Sequence, residues 1–130
     1  MNSGGAAGDV REACAKSVQA ILDSASIPLF KIGITADPVH RMTNDRYGYI
    51  DECFVMMNLV FVGAVDAVAE MEKFLINRFK SRPGCKNIAL GGESADKLRR
   101  QPGPAYTYVV HVDSDAYTRL RVKKIRQQQQ

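Results

Sequence analysis

Apolar side chains recur every three or four residues in two stretches of the chain, which predicts two amphipathic helices. The first stretch covers residues 9–24 and begins with Asp9, a residue type that favours the N-cap position. The second covers residues 66–80, begins with Asp66 and is followed by a Pro-Gly pair, which is typical of a helix end. The apolar stripe of this second helix consists of Val68, Met71, Leu75 and Phe79.

Apolar alternation and short apolar runs predict the strands at residues 29–35, 56–62, 106–112 and 117–123. In the first of these, Phe30, Ile32 and Ile34 alternate with the other residues. A short helix is predicted to follow it, because Asp37 can act as a cap and Pro38 favours a first helical turn. This order predicts an α/β (α+β) domain, with a small mixed or antiparallel sheet of three to four strands flanked by helices.

Length and composition fit one globular domain. The chain has 130 residues, of which 45% are hydrophobic and 25% are charged. We assign residues 9–126 to the domain, residues 1–8 to a flexible lead and residues 127–130 to a polar tail, typical of a frayed end or of a segment within a longer protein. No apolar run approaches the roughly 20 residues of a membrane helix, and the first residues do not have the pattern of a signal peptide.

Cysteine usage and net charge limit which cellular compartment and which partners the chain is expected to have. Three cysteines without metal-ligand spacing, together with two histidines, argue against a structural zinc site. They favour a reducing, intracellular compartment, the cytoplasm or the nucleus. The net charge of +4 permits a polyanionic partner but does not require one, although residues 119–126 contain five cations.

The most informative single residue is Glu72. It follows Val68 by four residues and precedes Leu75 by three, so it lies inside the apolar stripe of the second helix. A carboxylate that faces the interior costs several kcal/mol unless it is paired or binds a metal. Pattern alone favours a buried ion pair with an arginine or the edge of the core; the functional alternative is a metal ligand.

Arg41 is unusual because it lies in the first turn of the helix that starts at Pro38, beside His40. A cation at this position opposes the helix dipole, whereas the free N–H groups of the same helix end attract anions. Arg41 could therefore hold a phosphate. The more ordinary alternative is an ion pair with Asp37, Asp45 or Glu72.

Three strand residues are weaker candidates for chemistry. Lys31 is of the type that usually faces solvent, and Tyr106 and Tyr108 are of the type that usually pack with a solvated hydroxyl. The two tyrosines share one face of their strand by alternation, while His111 lies on the other face and is more typical of a structural residue.

Residues 30–41, F-K-I-G-I-T-A-D-P-V-H-R, resemble the second half of the motif of the GIY-YIG nuclease superfamily. In that family a Y-I-G or K-I-G strand is followed by a helix with an arginine about eight residues after the glycine. Gly33 and Arg41 have this spacing, and Thr35 completes the K-I-G-x-T form of one branch, with Phe30 in place of its tyrosine. The resemblance implies a GIY-YIG-like fold.

The resemblance extends to about residue 93. Residues 71–79 are similar to the family's later helix, in which one glutamate binds a divalent metal, and Glu72 stands in that position. Asn87, together with Gly91-Gly92-Glu93, is similar to the closing segment of the family's site, which contributes a polar residue and a G-x-E-like turn.

The chain departs from the family at its start, because no G-I-Y strand precedes residue 29. Residues 105–110, A-Y-T-Y-V-V, are similar to that strand and occur near the end instead. We therefore interpret the order as a circular rearrangement in which the last strands pair beside residues 29–35. On this interpretation Tyr108, or less favourably Tyr106, supplies the missing tyrosine.

The resemblance implies a metal-dependent endonuclease that hydrolyses phosphodiester bonds in DNA, including branched or damaged DNA. Glu72 would hold one Mg²⁺ or Mn²⁺, Arg41 would stabilise charge on the phosphoryl group, and Tyr108 would activate or orient water. Lys31 or His40 would assist Tyr108, with Lys31 replacing the family's second tyrosine. The alternative is a catalytically inactive GIY-YIG-like domain that binds nucleic acid or a protein partner.

Overall fold

The computed structural model describes residues 2–3, 7–24, 29–43, 54–87, 95–112 and 126–127 of the chain. Its elements, in chain order, are β1 (Asn2–Ser3), α1 (Ala7–Ser24), β2 (Phe30–Thr35), α2 (Pro38–Thr43), β3 (Phe54–Gly63), α3 (Val65–Phe79), α4 (Ala95–Leu98) and β4 (Ala105–Val112). The strand candidate at residues 117–123 lies outside the described residues.

The strands form one sheet in the order β1-β3-β4-β2. β4 pairs antiparallel with both β2 and β3, and β1 pairs parallel with β3. The predicted α+β fold with a small mixed sheet flanked by helices is thereby confirmed. The predicted pairing of residues 106–112 beside residues 29–35 is also confirmed, with Gly33 directly opposite Tyr108.

The helix starts differ from the predicted ones. α1 begins at Ala7 and α3 at Val65, so the predictions that Asp9 and Asp66 are N-caps are wrong. The N-cap of α3 is Ala64, which makes no side-chain capping hydrogen bond. Asp66 lies in the first turn instead, where a carboxylate still interacts favourably with the helix dipole. Local sequence rules locate a helix end only to within about two to four residues.

The main core lies between one face of the sheet and the helices α1 and α3. Ile32 and Ile34 of β2 and Val109 of β4 pack there with apolar side chains of both helices. The opposite face carries a second cluster, which we call the Tyr108 cluster; it consists of Tyr108, Val110 and Val112, with Leu29, Met42, Met57 and Leu59 packed against it. Successive strand residues point to opposite faces, so β4 contributes to both clusters.

On the protein surface, α1 and α3 are joined around one aromatic ring. The guanidinium groups of Arg11 and Arg78 lie 5.7 and 5.5 Å from the centroid of the Phe74 ring. Arg78 also donates to Glu12 at 2.5 Å. These contacts link α1 to α3, which carries Glu72. Within the described part of the chain, no helix combines the length and apolarity needed to cross a membrane.

Candidate functional site

Tyr108 lies directly against Gly33 on the neighbouring strand. A Cβ atom added to Gly33 would lie 2.6 Å from Cζ of Tyr108 and still closer to its hydroxyl oxygen. Tyr108 is only 1% exposed, so its ring has little room to move away. Glycine is therefore required at position 33 by the close approach of the ring. The glycine of the K-I-G segment and the tyrosine that resembles the family's missing one are therefore in contact.

The same face of the sheet carries the other strand residues that the sequence singled out. Lys31 and Thr35 alternate with Ile32 and Ile34, so they share the face of Gly33. Thr35 is paired with Tyr106, and directly opposed residues of an antiparallel pair lie on the same face. Tyr106 is half-buried, whereas Thr35 is buried. The structure thus brings together Lys31, Gly33, Thr35, Tyr106 and Tyr108.

The predicted cap of α2 is confirmed. The Asp37 carboxylate accepts a hydrogen bond from the backbone N–H of His40 at 3.0 Å, and the Thr35 hydroxyl bridges to Asp37 backbone atoms at 3.1 Å. This turn places α2 immediately after the end of β2. His40 is exposed and Arg41 is half-buried on this helix. The helix also presents Met42 to the Tyr108 cluster.

Glu72 is buried on α3, with 7% of its surface exposed, which confirms the prediction that it lies inside the apolar stripe. The hydroxyl of Thr107 donates to the backbone carbonyl of Val68 at 3.1 Å, so Thr107 faces α3. Its neighbour Tyr108 points to the opposite face. Glu72 and Tyr108 therefore approach the sheet from different sides.

Asn87 extends the sheet at the outer edge of β2. Its side-chain carbonyl accepts from the N–H of Ile32 at 2.9 Å, and its amide nitrogen donates to the Ile32 carbonyl at 2.8 Å. Just before it in the chain, Gly84 and Lys86 make the equivalent backbone hydrogen bonds to Phe30, at 2.9 and 2.8 Å. The carboxamide thus acts as one further peptide group along the edge. The Gly91-Gly92-Glu93 segment lies outside the described residues.

Replacing Asn87 with Asp is expected to lower the free energy of unfolding by about 1–2 kcal/mol at pH 7. The carboxylate still accepts from the Ile32 N–H, but it cannot donate to the Ile32 carbonyl and repels it. Because that repulsion disfavours the charged form and raises the pKa of the folded acid, the deficit relative to wild type should shrink as the pH falls towards about 4, where the acid can donate again. Urea unfolding at several pH values measures this, with Asn77→Asp on the exposed face of α3 as control. A deficit that does not vary with pH would contradict it.

His111 is a buried histidine on β4. Its Nε2 atom is 2.9 Å from the side-chain oxygen of Asn58, and its buried Nδ1 atom has no hydrogen-bond partner among the described residues. A neutral ring that donates from Nε2 satisfies this arrangement, since a lone pair at Nδ1 costs less than an N–H without an acceptor. Burial lowers the pKa of His111 from its ordinary value of 6.5. Its burial on the face opposite the tyrosines agrees with the structural role predicted for it.

Stability is expected to fall as the pH drops below about 6.5, because the unfolded chain then binds a proton that folded His111 resists. The slope can reach at most about 1.4 kcal/mol per pH unit for one group, and it should vanish below the lowered pKa. Urea unfolding between pH 5 and 7.5 measures it. His111→Gln should remove the slope, whereas His40→Gln, at the chain's other and exposed histidine, should retain it. An unchanged slope in His111→Gln would disprove the assignment.

The described residues contain no group of three or more His, Cys, Asp or Glu side chains that could hold a metal ion. The resemblance assigns one carboxylate, that of Glu72, to the metal. Such a ligand set fits Mg²⁺, which proteins commonly hold through one or two carboxylates together with water and substrate phosphates.

Comparison of the chain with family models, curated proteins and solved structures finds no match.

Proposed function

We propose that this chain is a metal-dependent endonuclease of GIY-YIG type that hydrolyses phosphodiester bonds in DNA. The observation that carries the proposal is the antiparallel pairing of β4 with β2, which sets Tyr108 against Gly33. A strand from the end of the chain stands beside the K-I-G strand, as the rearranged order requires. Lys31 and Tyr106 lie on the same face, and Arg41 follows on the helix that β2 leads into.

Each residue has a role that its chemistry can support. The hydroxyl of Tyr108 orients the attacking water, and Lys31 is a second polar group on the same face of the sheet. The permanently charged guanidinium of Arg41 stabilises the negative charge that develops on the phosphoryl group. Glu72 would hold the divalent ion, which when bound would supply positive charge to stabilise the phosphate in the transition state.

Side chains from the two faces of the sheet can reach the same phosphate at the edge of the sheet. Among the described residues, β2 is the outermost strand on its side, and residues 84–87 form hydrogen bonds along its edge at Phe30 and Ile32. The end of β2, at Ile34 and Thr35, is where α2 begins. A phosphate at this end could be approached by Arg41 from one side and by α3 from the other. We assign the scissile phosphate to this end.

Cleavage assays test the proposal. Branched, nicked and duplex DNA are incubated with the folded chain in Mg²⁺ or Mn²⁺, and in parallel with a chelator. We expect cleavage of at least one substrate that the chelator abolishes. No cleavage of any substrate by a chain shown to be folded would overturn the endonuclease proposal.

A second candidate is a catalytically inactive domain of the same type that binds nucleic acid or a protein partner. It is favoured by the burial of Tyr108, of which 1% is exposed, and by the position of α3 on the opposite face of the sheet. DNA binding that weakens steeply with salt, without cleavage, would indicate a nucleic-acid binder. Absence of DNA affinity even at low salt would indicate a protein-binding domain, within a longer protein or alone.

A further inference from the structure

Thr107 connects the strand of Tyr108 to the helix of Glu72. It is fully buried, and its hydroxyl donates to the Val68 carbonyl at 3.1 Å, across 39 residues of sequence. Tyr108 follows it directly in β4. The hydrogen bond therefore joins the two elements that carry the proposed water-orienting residue and the proposed metal ligand.

The acceptor of this bond is tied to Glu72 by helix geometry. In an α-helix the carbonyl of each residue accepts the N–H of the residue four positions later. The Val68 carbonyl is thus shared between the backbone N–H of Glu72 and the Thr107 hydroxyl. A shift of α3 along or around its axis would break the Thr107 bond, so this bond fixes the turn from which the Glu72 side chain extends.

We infer that Thr107 is a positioning residue, which holds Glu72 at a fixed place relative to β4. This inference rests on the proposed function for its catalytic consequence, because Glu72 is the metal ligand only in that proposal. Thr107 itself contacts neither metal nor DNA; it acts through α3. A buried hydroxyl that only satisfied its own hydrogen bond would contribute to stability without changing the surroundings of Glu72.

Two substitutions separate the hydroxyl from the shape of the side chain. Thr107→Val keeps the branched shape and removes the hydrogen bond, whereas Thr107→Ser keeps the hydroxyl and removes a methyl group. Val109→Ala is the matched control, because Val109 is fully buried on the same face of β4 and packs in the same core without a side-chain hydrogen bond.

The experiment combines thermal unfolding, NMR and cleavage on the full chain. NMR reports the carboxyl ¹³C shift of Glu72, assigned through its loss in Glu72→Gln, and the exchange rate of the Glu72 amide. In Thr107→Val we expect a moved carboxyl signal and faster amide exchange, and a Mg²⁺ concentration for half-maximal cleavage raised about tenfold or more. Thr107→Ser should stay close to wild type in the Glu72 signals and in the Mg²⁺ concentration for half-maximal cleavage. Val109→Ala should lose thermal stability with the Glu72 signals unmoved.

Unmoved Glu72 signals in Thr107→Val, or changes no larger than those of Val109→Ala at equal loss of stability, would overturn the inference. The NMR measurements do not depend on catalysis. If the wild-type chain fails to cleave DNA, the proposed function is refuted. The Glu72 signals would then still decide whether Thr107 positions Glu72. Cleavage by wild type with an unchanged Mg²⁺ requirement in Thr107→Val would leave the endonuclease intact and refute the role of Thr107.

Discussion

Replacing Glu72 with Gln is expected to lower the rate of DNA cleavage about 100-fold or more and to leave the fold intact. The amide has nearly the same shape as the carboxylate, but it carries no charge and binds a hard cation weakly. A metal that stabilises the transition state contributes several kcal/mol, and each 1.36 kcal/mol corresponds to a factor of ten in rate. The substitution removes that contribution without creating a cavity.

Glu70→Gln is the control for this substitution. Glu70 lies on the same helix, with 60% of its side chain exposed, in a surface pair 3.6 Å from Lys73. Exposed pairs of this kind contribute little to stability. We expect Glu70→Gln to cleave and to unfold like wild type, which separates a local effect at position 72 from a general effect of removing a charge from α3.

Thermal unfolding with and without Mg²⁺ distinguishes the metal ligand from the buried ion pair that sequence pattern alone favours. A ligand that binds only the folded chain stabilises it by an amount that rises with the logarithm of the ligand concentration above its dissociation constant. We therefore expect Mg²⁺ to raise the melting temperature of wild type more than that of Glu72→Gln. If Glu72 is instead one partner of a buried ion pair, Glu72→Gln should cost about 3 kcal/mol or more of stability in metal-free buffer. That result would refute the metal role.

The parts of the fold that the sequence predicted well are those with a local periodic signal. α1, β2, α3 and β4 follow from apolar steps of three to four residues or of two. The burial of Glu72 followed from the same count, because helical geometry alone decides which side of α3 it occupies. The pairing of β4 with β2 was predicted from the resemblance of residues 105–110 to a G-I-Y strand, and not from periodicity.

The parts that the sequence did not predict depend on contacts between distant residues. Asn87 is 55 positions from Ile32, and Thr107 is 39 positions from Val68. Nothing in the residues around Asn87 indicates that a strand edge lies beside it. Thr107 has one weak signal, since it is a polar residue on the face of β4 that Val109 places in the core, and such a residue requires a hydrogen-bond partner.

The sequence also did not predict that the sheet separates Tyr108 from α3. Alternation places Tyr106 and Tyr108 on one face of β4, but it does not state which face the helices cover. Two helices, α1 and α3, pack on the other face because Ile32, Ile34 and Val109 provide the apolar surface there. The candidate residues are therefore distributed around the edge strand β2, and this makes the end of β2 the place to look for a bound phosphate.

Gly33→Ala is expected to lower the free energy of unfolding by about 1–3 kcal/mol, the usual cost of inserting a methyl group into a packed site. A loss of stability would be informative, because alanine in a strand is otherwise more stable than glycine by about 0.5–1 kcal/mol. The added Cβ would lie 2.6 Å from Cζ of Tyr108, and the buried ring would have to shift. Gly63→Ala is the control, because its nearest neighbour would be an ordinary 3.4 Å from the new atom.

A double-mutant cycle with Tyr108→Ala assigns this cost to the contact itself. Removing the ring alone should cost about 3–5 kcal/mol, as for other large buried side chains. In that background the space beside position 33 is open, so adding Gly33→Ala should be neutral or slightly stabilising. Urea unfolding of the four variants measures the coupling, which we expect to be about 2 kcal/mol or more. Additive effects would mean that Tyr108 does not press on Gly33, and the observation that carries the endonuclease proposal would then be lost.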